Sequence, residues 1–411
     1  MRIAFYAPLK PPSHPTPSGD RRIARLLLKA LRKKGHDVRV VSTFRSFEGG
    51  GEPAAQRVIK QHGSAEAERL LRTTLKRWRP ELWFTYHIYQ KAPDWLGPPI
   101  ARKLCIPYLV AEAAYAPRRS KGRWDEGLAA VAAALRRADT ALMLNPNDEE
   151  CVAPLLRKRA GAIHTVQDML VTGKDFVPWI RGAPLRPAAV EPLLPFLDTA
   201  RYRRAFARRE THRRAVSRRF RIPRSSPWLL AVGMMRPGDK LASYRLLARA
   251  LRGLGKRPWR LLIVGDGPAR DDVRKSFAAH RGRVHFLGAL SEADLIPVYA
   301  ASDLYVWPAI NEAIGMSILE AQAAGLPVIA GDVGAIGVIV ASGVSGCLVP
   351  VGRAAPFRRA VAVLLAAPKL RRSMAEAAVA GTRLFHDIDV AAAHLDAVLQ
   401  GAVARARKRR R

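Results

Sequence analysis

Residues 303–330 read DLYVWPAINEAIGMSILEAQAAGLPVIA, and their pattern decides the fold of the chain around them. The apolar run 304–308 predicts a buried strand, followed by a loop containing Asn311, Glu312 and Gly315. A helix is expected over 317–324, stopped by Gly325 and Pro327, with a second strand over 327–330. Strand, loop, helix and strand at this spacing make the repeating unit of a parallel α/β sheet. Ligands of such sheets bind at the carboxyl ends of the strands. The first turn of the helix leaves amide N–H groups unpaired at the positive end of its dipole, a seat for phosphate. Gly315 allows a close backbone approach there. Glu312 stands in the loop before the helix and Glu320 about one turn into it, so both carboxylates suit the hydroxyls of one bound molecule. The plain alternative is a pair of surface glutamates stabilised by the helix dipole.

Working outward, the same pattern continues upstream. Strands are expected over 228–233, 259–265 and 284–287, with helices over 241–254, 269–280 and 290–300. Near the amino terminus a strand over 2–7, a loop through Gly19, a helix over 20–34 and a strand over 37–42 open a second such sheet. In that helix Ile23, Leu26, Leu27, Ala30 and Leu31 form one apolar face, and arginines and lysines fill the rest. Further strands are expected over 82–86, 108–111 and 140–144. Residues 153–193 show no clean periodicity and read as an irregular insertion. The partition is then a domain over 1–200, a basic connecting helix over 201–224 and a second domain over 225–384. A helix over 385–400 packing back on the first domain and a polybasic tail over 401–411 complete it. Two such units imply a cleft between them, a preferred place for ligands.

The 411 residues carry 70 Lys and Arg against 34 Asp and Glu, a net charge of +36. Residues 1–222 hold 43 basic and 20 acidic side chains, and the tail 405–411 adds six more positives. Such a surplus favours a polyanionic partner: a membrane leaflet, nucleic acid or an acidic glycan. The stretch 201–224, RYRRAFARRETHRRAVSRRFRIPR, has eleven arginines in pairs five residues apart. That spacing spreads charge around a helix and reads as a solvated connector. No basic stretch is interleaved with aromatics for base stacking, so no specific nucleic acid partner is expected. Cys105, Cys151 and Cys347 form no CxxC pair, which argues against a disulfide framework or zinc cluster and fits a reducing cytosol. The opening MRIAFYAPLKPPSHPTPSG lacks the pattern of a signal peptide, and no run approaches the ~18 apolar residues of a membrane span. A cytoplasmic protein, peripheral on the inner membrane face, is the expectation. The basic helix 20–34 and the tail would face an anionic surface.

Glu312 and Glu320, with seven residues between them and AQAAGLPVIA following, resemble the E-x(7)-E signature of family 4 retaining glycosyltransferases of GT-B fold. VGMMRPGDK (232–240), LLIVGDGP (261–268) and VHFLG (284–288) resemble further motifs of that family in the same order. The resemblance implies two Rossmann-like parallel-sheet domains facing across a cleft, the first binding the acceptor and the second the donor. It assigns Glu320 to the nucleotide ribose, Glu312 to the donor sugar, and the amides of Gly315, Met316 and Ser317 to the diphosphate. Gly233, Gly265, Asp266, Gly267, Phe286 and Leu287 would complete the donor pocket. Arg236 and Lys240 would neutralise the leaving phosphates, although Met234 and Asp239 stand where the family has its Arg and Lys. A cation pairing locally with Asp239 is the structural alternative. Ala313-Ile314 replaces the commoner Gly-Phe.

In the first domain Ser18 and Gly19 occupy the position of the family's glycine loop near diphosphate and acceptor. The family's His after the strand 108–111 is absent, and either Glu112 or His87 would orient a sugar hydroxyl in its place. The implied reaction retains anomeric configuration by front-face displacement. No metal is expected, and no cofactor beyond the nucleotide-diphosphate sugar that serves as donor substrate. A glycan or lipid-linked acceptor is the expected second partner, in polysaccharide or glycolipid synthesis. A nucleotide-sugar epimerase of the same fold and a non-catalytic basic protein that binds membrane or nucleic acid are the competing readings.

Overall fold

The computed structural model describes residues 1–16, 18–117, 122–156, 190–255 and 257–409. The chain divides into two units, Met1–Leu194 with Ile388–Arg411, and Pro195–Asp387. Each is built on a six-stranded sheet whose neighbouring strands all run parallel.

In the first unit β1 (Arg2–Tyr6), β2 (Asp37–Val40), β3 (Leu82–Ile88), β4 (Tyr108–Ala113), β5 (Thr140–Met143) and β6 (Val190–Pro192) lie in the order β2-β1-β3-β4-β5-β6. β3, β4 and β5 are buried almost throughout, as strands covered on both faces must be. The order reverses at β1, with β2 on one side and β3 on the other. The carboxyl ends of β1 and β3 therefore flank one crevice. The helix Gly19–Lys33 follows, its amino end capped by the Ser18 hydroxyl, which accepts from the Arg21 amide at 3.2 Å. Ile23, Leu27 and Leu31 are buried along it, and Leu28 joins them. Behind β3, Asp94 accepts from the Leu96 and Gly97 amides, Thr85 Oγ1 and Tyr108 Oη at 2.5 to 2.9 Å. A fully bonded carboxylate of this kind ties two strands to the start of the helix Gly97–Lys103.

The basic elements are less free than their composition suggested. Helix Gly19–Lys33 packs against the long helix Ile388–Lys408, and Lys33 pairs with Asp389. That long helix runs through most of the polybasic tail. Arg405 donates to Thr140 Oγ1 at 3.1 Å, Arg409 pairs with Asp139, and Arg407 lies 4.0 Å from Glu81. Of the expected irregular insertion 153–193, residues 157–189 lie outside the described residues, and both flanks are regular. Residues 153–156 end the helix Glu149–Leu156, and Val190–Pro192 is the edge strand β6. Among the described residues no helix is long and apolar enough to cross a membrane.

The second unit places β7 (Trp228–Val232), β8 (Arg260–Val264), β9 (Val284–Gly288), β10 (Leu304–Trp307), β11 (Val328–Gly331) and β12 (Gly346–Val349) in the order β12-β11-β10-β7-β8-β9. Here the order reverses between β7 and β10. Most arginines of the stretch 201–224 are exposed, as expected of a solvated helix, but the stretch is not one continuous helix. It forms two helices, Thr199–Ala207 and Arg209–Phe220, that pack on the helix Glu292–Ala301 within this unit. Arg213, 8% exposed, lies over the Trp228 ring at 4.3 Å and pairs with Asp303 at 2.8 Å. Arg209 pairs with the other oxygen of Asp303 at 2.6 Å.

Candidate active site

The loops after β7 and β10 meet at the switch point of the second sheet. Two glycines clasp the first loop to its neighbour after β8. Gly265 has φ +142°, and a Cβ there would stand 1.9 Å from the Gly233 carbonyl oxygen. Gly267 has φ +146°, and its Cβ would stand 2.4 Å from the Met235 carbonyl oxygen. The amides of Gly233 and Met235 donate to Val264 and Asp266 carbonyls at 3.0 and 2.9 Å, closing the clasp. Gly265→Ala is therefore expected to destabilise the second unit by at least about 1–3 kcal/mol from backbone strain alone. A thermal melt of the purified variant, compared with the parent, checks it.

Across the crevice, Lys240 Nζ donates to Glu312 Oε2 in a short ion pair, and Trp307 Nε1 donates to the same oxygen at 3.1 Å. Lys240 also lies 5.3 Å from the Trp307 ring centroid. Asp239, standing where the family has Lys, pairs with neither nearby cation. It accepts from Asn311 Nδ2 at 2.8 Å, while Ser243 Oγ accepts from the Ile310 amide at 3.1 Å. Those bonds hold Ala309 and Asn311 at φ +55°, a left-handed conformation uncommon for residues other than glycine. The loop that presents Glu312 is thus fastened to the first turn of the helix Asp239–Arg252. Arg236 and Met234 in the opposing loop are exposed.

Gly315, at φ +77°, turns the chain into the helix Met316–Ala323. Glu320 is 5% exposed on that helix. Burial, then the charge of Glu320, pushes the Tyr299 phenol well above its ordinary range. Ser317 Oγ accepts from Tyr305 Oη at 2.8 Å, so the start of this helix is tied to β10. Met316 is buried. Asp266 is exposed and accepts from the Gly267 amide at 2.8 Å, and Phe286 packs edge-on against Phe277. Leu287 lies beside Phe286 on β9, half-buried.

The crevice of the first sheet holds a second polar group. His87 at the end of β3 and Glu112 at the end of β4 both adopt positive φ, +62° and +61°. His87 Nδ1 lies 3.0 Å from Asp20 Oδ1, in the first turn of the helix Gly19–Lys33. Burial pushes the Asp20 carboxyl up, but the bond to His87 together with the charges of His87 and Lys10 and a backbone bond holds it below the usual range. Burial likewise pushes His87 down, and the bond to Asp20 with the charges of Asp20, Glu112 and Asp148 raises it instead. Glu112, 4% exposed, accepts from the Leu144 amide at 3.2 Å. Burial pushes its carboxyl up to about 7, against the pull of His87. Asp148 is raised by burial and accepts from Asn145 Nδ2 at 2.8 Å.

Glu112 and His87, alternatives in the sequence, thus act on one another here. Asp20 and Asp148 join them and were missed. Both follow parallel strands at their carboxyl side, which was the available signal. Ser18, whose hydroxyl is engaged as the helix cap, and Gly19 stand directly before Asp20.

The family described as "Glycosyl transferases group 1" matches residues 226–367. A D-inositol 3-phosphate glycosyltransferase of Salinispora arenicola is 32% identical over 205 residues, 47% of this chain and 45% of that protein. An alpha-D-kanosaminyltransferase of Streptomyces kanamyceticus is 34% identical over 152 residues, 36% of this chain and 39% of that protein. These matches thus span less than half the length of either relative. Among solved structures, a glycosyltransferase of Rickettsia africae superposes with a TM-score of 0.69 at 14% identity, covering 98% of both chains. The HepE protein of Anabaena, solved in complex with UDP, superposes with a TM-score of 0.67 at 14% identity, covering 98% of this chain and all of that one. The α/β fold of two parallel-sheet units is that of GT-B proteins.

Proposed function

We propose that this chain, whose residues 226–367 match the group 1 glycosyl transferases, moves a sugar from a nucleoside-diphosphate sugar to a hydroxyl of a glycan or lipid-linked acceptor. The observation that carries the reading is the pair Glu312 and Glu320 on either side of a glycine-led helix start, at the switch point of the second sheet. The likeness to HepE, solved with UDP and with UDP-glucose, supports a donor of this class.

In this reading the buried Glu320 receives the ribose hydroxyls, and the amides of Met316 and Ser317 face the diphosphate. Glu312, held by Lys240 and Trp307, keeps one oxygen for the donor sugar. Lys240 serves first to orient Glu312, which leaves the exposed Arg236 to meet the phosphates. In the transfer the bond from the anomeric carbon to the phosphate oxygen breaks, its electron pair leaving with the nucleoside diphosphate. The acceptor oxygen bonds to the same face of that carbon and passes its proton to the departing phosphate oxygen, so configuration is retained. Positioning and phosphate stabilisation supply most of the rate, and no metal is invoked.

A thermal-shift panel of nucleoside diphosphates and their sugars tests this. A ligand at a hundred times its dissociation constant stabilises the folded state by about 2.7 kcal/mol. Stabilisation by one nucleoside diphosphate is expected, lost in Glu320→Ala and weakened in Glu320→Gln. A folded protein that responds to none of them overturns the reading. Conversion of the nucleotide sugar to its epimer without an acceptor would replace transfer by epimerisation.

A further inference from the structure

Asp239 stands where the resembling family has a lysine, and it does the opposite chemistry there. A cation at that position would meet the phosphates. The Asp239 carboxylate instead accepts from Asn311 Nδ2 at 2.8 Å, in the loop that presents Glu312. One turn along the same helix, Ser243 Oγ donates to the Asp239 carbonyl at 2.9 Å and accepts from the Ile310 amide at 3.1 Å. Its proton is spent within the helix, which leaves a lone pair for the loop. From another side, the Ala335 amide donates to the Ala313 carbonyl at 2.8 Å. Gly334 permits that approach, since a Cβ there would stand 2.2 Å from the Glu312 carbonyl oxygen. Residues 310–313 are thus gripped at both ends, with Glu312 between the grips.

The grip opposes a conformational cost, because Ala309 and Asn311 both hold φ +55°. Glu312 spends one oxygen on Lys240 and Trp307, so the direction of the other follows the backbone that the loop imposes.

We propose that Asp239 and Asn311 are a positioning pair that aims Glu312 at the donor sugar, and that Asp239 serves this anchoring and not the phosphates. The part played by the sugar rests on the transfer reading above; the anchoring of the loop does not.

An acidic residue at this place could instead only complement the dipole of the helix Asp239–Arg252, whose first turn it occupies. A reciprocal exchange separates the two roles. Asn311→Asp sets two carboxylates against one another and breaks the bond. Adding Asp239→Asn remakes it with donor and acceptor interchanged, yet removes the charge that the dipole favours. Both residues are exposed, so the exchange disturbs no core packing.

Amide exchange of residues 309–315, read by mass spectrometry on the full chain without ligand, tests the anchor. Asn311→Asp is expected to speed it about tenfold, and the double variant to return it to within about threefold of the parent. Affinities for UDP, GDP and ADP, each beside its hexose conjugates, test the aim. In Asn311→Asp and in Asp239→Lys the affinity for the conjugate relative to the bare diphosphate should fall about tenfold, and the double variant should recover it. Asp239→Lys should bind the bare diphosphate at least as tightly as the parent, since its ammonium attracts phosphate. Unchanged amide exchange in Asn311→Asp, no recovery in the double variant, or an Asp239→Lys that keeps the parental ratio each overturns the proposal. A folded parent that binds no nucleoside diphosphate sinks the transfer reading and the sugar's part together. Diphosphate binding with the same ratio in every variant sinks this proposal alone.

Discussion

Asp303→Ala is expected to lower the stability of the second unit by about 3–5 kcal/mol, the usual result of stripping one partner from a buried ion pair. Asp303 precedes β10 and takes three strong bonds: Arg209 at 2.6 Å, Arg213 at 2.8 Å and the Trp228 amide at 2.7 Å. Removing the carboxylate leaves two guanidinium groups and a strand amide without their acceptor. Arg213 has nowhere to move, since it is 8% exposed, stacked on Trp228 and donating to the Ala301 and Ser226 carbonyls at 2.8 and 3.0 Å. For a unit of this size the loss corresponds to a fall in melting temperature of roughly 6–20 °C, visible by calorimetry. The double variant Asp303→Leu with Arg213→Met should recover part of it, because apolar isosteres avoid the desolvation penalty. A melt within 2 °C of the parent would show that these arginines are solvated after all.

The second large effect has the opposite sign. Glu112→Gln is expected to stabilise the first unit above pH 7, by up to about 3 kcal/mol for a carboxyl moved from 4.5 to about 7. Below pH 4.5 the carboxyl is protonated in both folded and unfolded chains and contributes no difference. Between pH 4.5 and 7 the folded chain binds the extra proton, so stability falls as pH rises; above 7 the deficit is complete. Glutamine removes it, while its carbonyl oxygen still accepts from the Leu144 amide. Loss of the favourable charge on His87 reduces the gain, so an observed 1–3 kcal/mol at pH 8 and near zero at pH 4.5 is the expected outcome. Calorimetric melts of parent and variant across that range decide it. A variant less stable than the parent at pH 8 would mean that the ionised carboxylate is compensated in the fold. A carboxyl kept at such a cost, on strained backbone, is the pattern of a residue retained for binding.

Much of the fold was legible because parallel strands buried on both faces must be apolar throughout. Runs such as LLIV at 261–264 and LYVW at 304–307 announced themselves. β12 escaped because GCLV is short and opens on a glycine, and β6 because Val190–Pro192 pairs with β5 from across a long chain excursion. The carboxylates Glu312 and Glu320 were legible as well, through local spacing around Gly315. The partner of Lys240 was not. Asp239 stood adjacent in sequence, yet the ammonium reaches Glu312, 72 residues away.

What the sequence by itself determined is therefore the set of βα units, the glycine-led helix start with Glu312 and Glu320, and the family resemblance they carry. Those properties depend on residues within about a helical turn or a strand length of one another, where periodicity and spacing are direct readouts of geometry. Tertiary structure alone decided which charges are spent and which remain. Eleven arginines in 24 residues looked solvated, but two of them close on Asp303, some 90 residues downstream. Glu112 and His87 looked like alternatives, but parallel pairing of β3 with β4 sets their strand ends side by side, where each changes the other's proton affinity. Electrostatic partnership falls off with distance in space and takes no account of distance along the chain.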